Sequence, residues 1–228
     1  MKAQSDDPAS VAVREQIREA ILHGGYAPGQ RLIEADLCEH FGASRFLVRT
    51  ALQDLAAQGL IEFQRNKGAR VRAVSLGEAV EITEVRMLLE GFVAARAAER
   101  VTEHEAAALR QISRDMRTAV ESGELTHYSA LNVSLHAMLR EMAAHHISAE
   151  LLEQLRALTI RHQFTLSLVP GRSAVSLPQH EAIVAAVAAG DAEAAQDAMR
   201  AHLQSVIDAL SRRANAAAIP AAAANPAV

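Results

Sequence analysis

One cysteine, Cys38, is all the thiol this chain of 228 residues has, so no disulfide can form within it and a reducing compartment suits it best. Tryptophan is absent, and aromatic residues make up only 3% of a sequence that is half apolar. Alanine and leucine fill that gap, a balance that favours helices over sheets. The apolar half also suffices for a core, which excludes a globally disordered chain. A basic-then-apolar leader is missing from the N-terminus, and no run of about 18 apolar residues could span a bilayer. The expectation is a soluble, cytoplasmic protein.

Positive charge is scarce too: the formal net charge is −4, which by itself speaks against a nucleic-acid partner. The distribution speaks for one. Residues 10–74 hold nine Lys/Arg and seven Asp/Glu, a net of +2, whereas residues 75–228 hold 13 and 18, a net of −5. Within 44–72 the imbalance sharpens to six basic against two acidic residues. A basic stripe on an acidic protein suits a small DNA-reading module attached to a domain with another task. The plainer meaning of the same count is a solvated charged face.

Residues 1–9 are polar and lack periodicity, an expected disordered start. From Ala9 to His23, Val13, Ile17 and Ile21 recur every four residues opposite Arg14, Glu15, Arg18 and Glu19, the pattern of an amphipathic helix. Gly24-Gly25 ends it and Pro28-Gly29 turns the chain. A short helix over Glu34–Phe41 follows, with Leu37 and Phe41 inward. After the Gly42-Ala43 turn, Ser44 is a natural cap for a third helix reaching about Gln58, with Val48, Leu52 and Leu55 on one stripe. Leu60–Gln64 and Ala69–Ala73, separated by Arg65-Asn66-Lys67-Gly68, read as a β-hairpin. Three helices and a hairpin make a winged helix-turn-helix over 10–75.

In that third helix Arg45 and Arg49 lie four residues apart and share a face. Arg is the side chain best matched to the O6/N7 edge of guanine, and Ser44 at the helix N-terminus can meet a phosphate. At the hairpin tip Lys67 can follow the DNA backbone, and Gly68 allows close approach. The segments "PGQRL", "LCEHFGASRFLVRTALQDLAAQGLIE" and "KGARV" resemble the DNA-binding domain of the GntR family of bacterial regulators. Gly42, Ser44, Arg45, Val48, Arg49, Ala51, Leu52, Leu55, Gly59 and Leu60 fall on that family's pattern. The resemblance implies DNA contacts at Ser44, Arg45, Arg49 and Gly68, with Arg31 of "PGQRL" a weaker candidate. Where the family pattern has Thr-Pro, this chain has Phe46-Leu47, so a different operator preference is expected.

After Ser75 the pattern is helical only, with helices expected near 76–100, 103–122, 125–145, 148–168, 177–189 and 191–213. Ile82, Val85, Leu89 and Phe92 follow the spacing of a buried stripe on the first. Six antiparallel helices make a bundle over 76–213. Residues 214–228, rich in Ala, Pro and Asn, are expected to be a disordered tail. The fold class expected is therefore mainly α, a winged helix-turn-helix followed by an all-α six-helix bundle.

Asn132 and His136 share a face of the third bundle helix; His180 opens the fifth and His202 lies midway along the last. Three imidazoles and an amide oxygen from three helices can make a divalent metal site. The spacing alone is a weak signal, since ten histidines are present. "VRMLLEGFVAARAAER", "ALNVSLHAML" and "LPQHEAIVAAVAAGDAEAAQDAMRAHL" resemble the FCD effector domain of GntR regulators of the FadR subfamily. Many such domains carry Asp-x3-His and two later histidines that bind zinc, nickel, manganese or a similar ion. The resemblance implies His136, His180 and His202 as ligands, with Asn132 in the Asp position and so a weaker, more cationic site. Arg86 and Glu90, four apart, are either a surface or interface ion pair or a sign that Arg86 points inward to an effector carboxylate.

The expectation is a metabolite-responsive transcription regulator and repressor, not an enzyme. It binds a palindromic operator as a homodimer, because a single wing covers few base pairs, and it senses a small organic acid beside the metal. Two alternatives stand beside it. One is a regulator of fatty acyl-CoA or another ligand without metal. The other is a metal-dependent hydrolase, for which the chain shows no H-E-x-x-H and no general base beside the histidines.

Overall fold

The computed structural model describes residues 7–22 and 24–222, with side chains as far as 216. The chain divides into two compact units, Met1–Val74 and Ser75–Val228. The first contains α1 (Pro8–Leu22), β1 (Arg31–Leu32), α2 (Glu34–Phe41), α3 (Arg45–Ala57), β2 (Ile61–Gln64) and β3 (Gly68–Val71). The stripe Val13, Ile17 and Ile21 of α1 is buried, as are Val48, Leu52 and Leu55 of α3 and Leu37 of α2. Gly42 ends α2 in the left-handed region, with φ 62°, and hands the chain to Ser44, whose Oγ accepts from the Leu47 N–H at 3.3 Å and caps α3.

The wing is the expected hairpin with one strand more. β3 pairs antiparallel with β2, Ile61 opposite Val71 and Gln64 opposite Gly68. On its other edge β3 pairs with β1, Arg31 opposite Arg70. The order is β1-β3-β2. A two-residue strand inside "PGQRL" carries no alternation long enough to read, and only its pairing reveals it. At the wing tip the backbone turns through Asn66 (φ 62°) and Gly68 (φ 79°), the conformation in which glycine costs least.

The second unit is the bundle α4 (Leu76–Arg100), α5 (Glu103–Glu121), α6 (Leu125–Ala143), α7 (His146–Ser167), α8 (Arg172–Ala188) and α9 (Ala192–Ala222). The mainly helical fold class is thus as expected. Three expectations need correction. α9 runs to Ala222, so 214–222 are helical where a structureless tail was expected; 1–6, His23 and 223–228 lie outside the described residues. α8 starts five residues before 177 and takes in Pro178, two residues before His180. Lacking an N–H, Pro178 cannot bond the carbonyl one turn back, and neighbouring turns carry the helix through.

The third correction concerns the face of α4. Of the stripe expected to be buried, Ile82 is, but Val85 is 49% and Phe92 40% exposed, and Leu88 beside them is 59% exposed. The inward face is instead Ala79, Thr83, Arg86, Glu90, Gly91 and Ala94. α9 lies so close that a Cβ on Gly91 would come within 3.2 Å of Arg200 Cγ. Small residues admit α9, and buried polar groups face the centre.

Candidate DNA-reading surface and candidate metal centre

On α3 the sequence-predicted residues Ser44, Arg45 and Arg49 are all exposed, while the opposite stripe holds the helix to the core. Arg49 is not a loose cation. Its Nε and Nη2 donate to the two carboxylate oxygens of Glu34 at the start of α2, at 3.2 and 2.9 Å. That bidentate pair raises the Arg49 pKa and lowers that of Glu34, and it presents the guanidinium in a defined orientation. Phe46, between the two arginines, is 76% exposed. Lys67 and Gly68 stand exposed at the wing tip, and Arg31 is exposed on β1. The described structure thus gathers Arg45 and Arg49 on one helix face, with Lys67-Gly68 and Arg31 on the sheet.

In the bundle, α6, α8 and α9 bring His136, His180 and His202 together. All three are buried, and one ring nitrogen from each lies within 4.8 Å of the others. Each ring also commits its Nδ1. His136 Nδ1 lies 2.5 Å from Glu90 Oε2, His180 Nδ1 2.9 Å from Tyr128 Oη, and His202 Nδ1 3.1 Å from Gln179 Oε1. Glu90 and the Gln179 oxygen can only accept, so the imidazoles of His136 and His202 carry their proton on Nδ1. Nε2 is left for the interior. His180 Nε2 is buried without a partner, and so is Asn132 Oδ1 one turn before His136.

Protonation follows burial. Burial pushes all three imidazoles down, His202 to about 3 and His180 well below its ordinary value, so they are neutral near pH 7. Burial alone would raise the Glu90 carboxyl. Arg86 first, then His136 and Arg156, overcome this and hold it well below the usual carboxylate range. With His136 neutral, Arg86 and Arg156 hold that charge, and the short contact is an imidazole N–H donating to it. Burial raises the Tyr128 hydroxyl to about 12 and lowers Arg156 to about 10. Tyr128 therefore keeps its proton and Arg156 its charge.

A small internal cavity of about 50 Å³ is bordered by these histidines, Asn132, Arg86, Arg156 and Arg172. Arg86 is inward, 2% exposed, but largely occupied: Nε and Nη2 donate to Glu90 Oε1 at 3.0 and 2.6 Å, and Nη1 reaches Thr159 Oγ1 at 3.5 Å. The surface ion pair is thus a buried one. Unused donors lie elsewhere, on Arg156 Nη1 and Arg172 Nη2. Arg156 Nη1 is 3.7 Å from Glu90 Oε2, inside ion-pair range but beyond a hydrogen bond. Sequence reasoning did not find Tyr128, Gln179, Arg156 or Arg172. Only Glu90 left a signal, an acid four residues from Arg86 on a largely apolar helix.

The donor set fits a divalent ion. Three neutral imidazoles converge, each turned by a partner at Nδ1, the outer arrangement typical of histidine metal sites. Two buried polar atoms without a partner, His180 Nε2 and Asn132 Oδ1, meet the same cavity.

Comparison with known proteins accounts for both units. Residues 9–71 match the model of bacterial regulatory proteins of the gntR family, and residues 81–205 match the FCD domain. The HTH-type transcriptional regulator LutR of Bacillus subtilis is 32% identical over 216 residues, covering 84% of this chain and 96% of LutR. The HTH-type transcriptional repressor RspR of Escherichia coli is 29% identical over 203 residues, 89% of each chain. Among solved structures, E. coli McbR/YncC shares the fold with a TM-score of 0.76 at 22% identity, covering 91% of this chain and 99% of its own. No described helix is long and apolar enough to cross a membrane. A gntR-type DNA-binding domain followed by an FCD domain is the FadR-type order, and the chain belongs to the GntR family of bacterial transcription regulators rather than to any class of enzymes.

Proposed function

We propose that the chain is a cytoplasmic, homodimeric repressor whose operator affinity responds to a small carboxylate bound beside a divalent metal ion of the zinc, nickel or manganese class. The observation that carries this reading is the histidine cage, three buried imidazoles with every Nδ1 committed, and with His180 Nε2 and Asn132 Oδ1 left without a partner. His136, His180 and His202 hold the ion and Asn132 is a weak or water-mediated fourth contact. A bound ion supplies a positive centre with open positions for an anionic oxygen. The chain's own residues do the rest: Glu90, Tyr128 and Gln179 fix the rings, while Arg86, Arg156 and Arg172 make the cavity cationic. Its volume of about 50 Å³ suits a compact acid and speaks against a long acyl chain.

Ser44, Arg45 and Arg49 read the operator, with Lys67, Gly68 and Arg31 contacting the DNA backbone or an adjacent groove. Phe46 offers an apolar surface suited to a thymine methyl. The outward stripe Val85, Leu88 and Phe92, with Ile147 and Leu151 on α7 also exposed, supports burial against a second copy. Repression is the direction carried by the name of the E. coli relative.

Elemental analysis of protein purified without chelators, followed by calorimetric titration of metal-loaded and metal-free protein with small organic acids, tests the sensor. One metal per chain and acid binding that requires it are expected. Tight binding of a neutral or cationic metabolite while every acid fails would overturn the carboxylate reading.

A further inference from the structure

The contact between Glu34 and Arg49 ties the first residue of α2 to the reading helix α3. It is a surface pair, with the Arg49 side chain 63% and that of Glu34 34% exposed. Isolated pairs of this kind add little to stability. Glu34 also has a plain structural use: Ile33, before α2, supplies no side-chain cap, and a carboxylate in the first turn suits the helix dipole.

The geometry of the pair decides which part of Arg49 stays available. Of the guanidinium N–H groups, Glu34 takes one on Nε and one on Nη2, the side edge of the fork. The end edge, formed by Nη1 and the second N–H of Nη2, has no partner among the described residues. That edge presents the two parallel donors that match O6 and N7 of guanine. The hydrogen bond from Arg49 is also the largest cause holding the Glu34 carboxyl below its ordinary value, and the charges of Arg49 and Arg45 add to it. A negative charge thus lies beside both arginines of the reading face. An unrestrained arginine there turns readily to the nearest phosphate, which every sequence offers. One held by a carboxylate must give up part of that contact first, and the carboxylate itself repels the phosphate.

We propose that Glu34 is a positioning residue for operator reading. It holds the side edge of Arg49 so that the end edge meets a guanine, and it discourages the same arginine from acting as a phosphate contact on random DNA. This rests on the assignment of Arg49 to the operator above, and adds to it the residue that makes Arg49 selective.

The test is competition binding of the full-length protein, over a range of salt, to random duplex and to the duplex that the parent enriches from a random pool. In Glu34→Gln the affinity for random DNA is expected to rise several-fold, with a salt slope steeper by about one, as Arg49 becomes available to a phosphate. The preference for the enriched duplex falls by roughly fivefold or more. Glu34→Asp, which keeps the charge on a shorter stem, recovers part of it. Arg49→Ala lowers the preference on its own, and adding Glu34→Gln lowers it no further, because the glutamate acts through the arginine. Weaker binding to both duplexes with a reduced melting temperature would leave Glu34 a structural role in α2 and overturn the proposal. An unchanged preference and salt slope in Glu34→Gln would overturn it too, while the loss in Arg49→Ala keeps the operator reading standing. Should Arg49→Ala retain the parent's preference, both fall.

Discussion

The winged unit keeps its working cations at the surface, where Arg49 has one acidic neighbour, Glu34, and the rest face solvent. The bundle buries its own: Arg86 and Arg156 surround the single carboxylate of Glu90, beside three neutral imidazoles. Water screens the first set, so its members act nearly independently and are free to exchange solvent for phosphate. The second set is screened little, and each member depends on the others. On the proposed reading the same residue type serves recognition in one unit and a preorganised cage in the other.

Removing one member from each unit sharpens that contrast. The largest effect is expected from Glu90→Ala, which leaves Arg86, Arg156 and His136 without their common partner. Breaking a buried ion pair from one side costs about 3–5 kcal/mol, so the melting temperature should drop by many degrees. A variant that melts within a degree or two of the parent would mean that water reaches this cluster. In the winged unit Arg49→Ala should leave the melting temperature nearly unchanged, yet reduce the preference for the operator over random DNA by roughly tenfold or more. Competition binding at fixed salt measures it, and an undiminished preference would remove Arg49 from the reading helix's contacts.

Those two residues were unequally legible in the sequence. Arg45 and Arg49 belong to a local pattern in which capping serine, apolar stripe and exposed arginines lie within 14 residues, and the helix forms as that pattern requires. The three histidines were legible as ligand types at recurring places. Their supports were not: Glu90 and His136 are 46 residues apart, Tyr128 and His180 52, and Arg86 and Thr159 73. No periodicity within one helix reports a bond made to another. The α4 stripe misled for a related reason. Periodicity identifies an apolar face but not what covers it, and the alanines and Gly91 of the opposite face give no amphipathic contrast although they admit α9.

Smaller effects test the outer ring of the cage. Tyr128→Phe keeps the buried ring and removes the hydroxyl's bond to His180 Nδ1 together with its bond to Ser176; metal affinity should fall by roughly tenfold, read by competition with a chelator. Asn132→Asp should tighten the site by supplying a charged ligand. Acid is a gentler probe. The folded-state pKa of His202 is about 3 against an ordinary value near 6.5, and His136 and His180 are lowered in the same direction. The folded state therefore binds fewer protons than the unfolded one, and the stability these groups contribute is complete above about pH 6.5 and declines as pH falls towards 3. Burial also moves the onset of proton competition for metal below the pH of about 6 expected of free imidazoles. Melting curves of chelator-treated protein between pH 8 and 5 should show a falling midpoint; a flat profile would imply histidines open to solvent. Lys67→Ala should act least, weakening all DNA alike and reducing the salt slope by about one.

The committed Nδ1 atoms bear on the proton inventory of metal loading. Histidine sites in flexible or exposed segments surrender protons when an ion arrives, and their apparent heat of binding then depends on the buffer that takes them up. Here burial keeps the rings neutral, and Glu90 and Gln179 hold the proton of their histidines on the far nitrogen before any ion is present. On the proposed reading the ion displaces nothing ionisable from the rings at neutral pH. Titrations in two buffers of very different ionisation enthalpy should give the same heat, and metal occupancy should be insensitive to pH across the physiological range, leaving the organic acid as the variable to which the regulator responds.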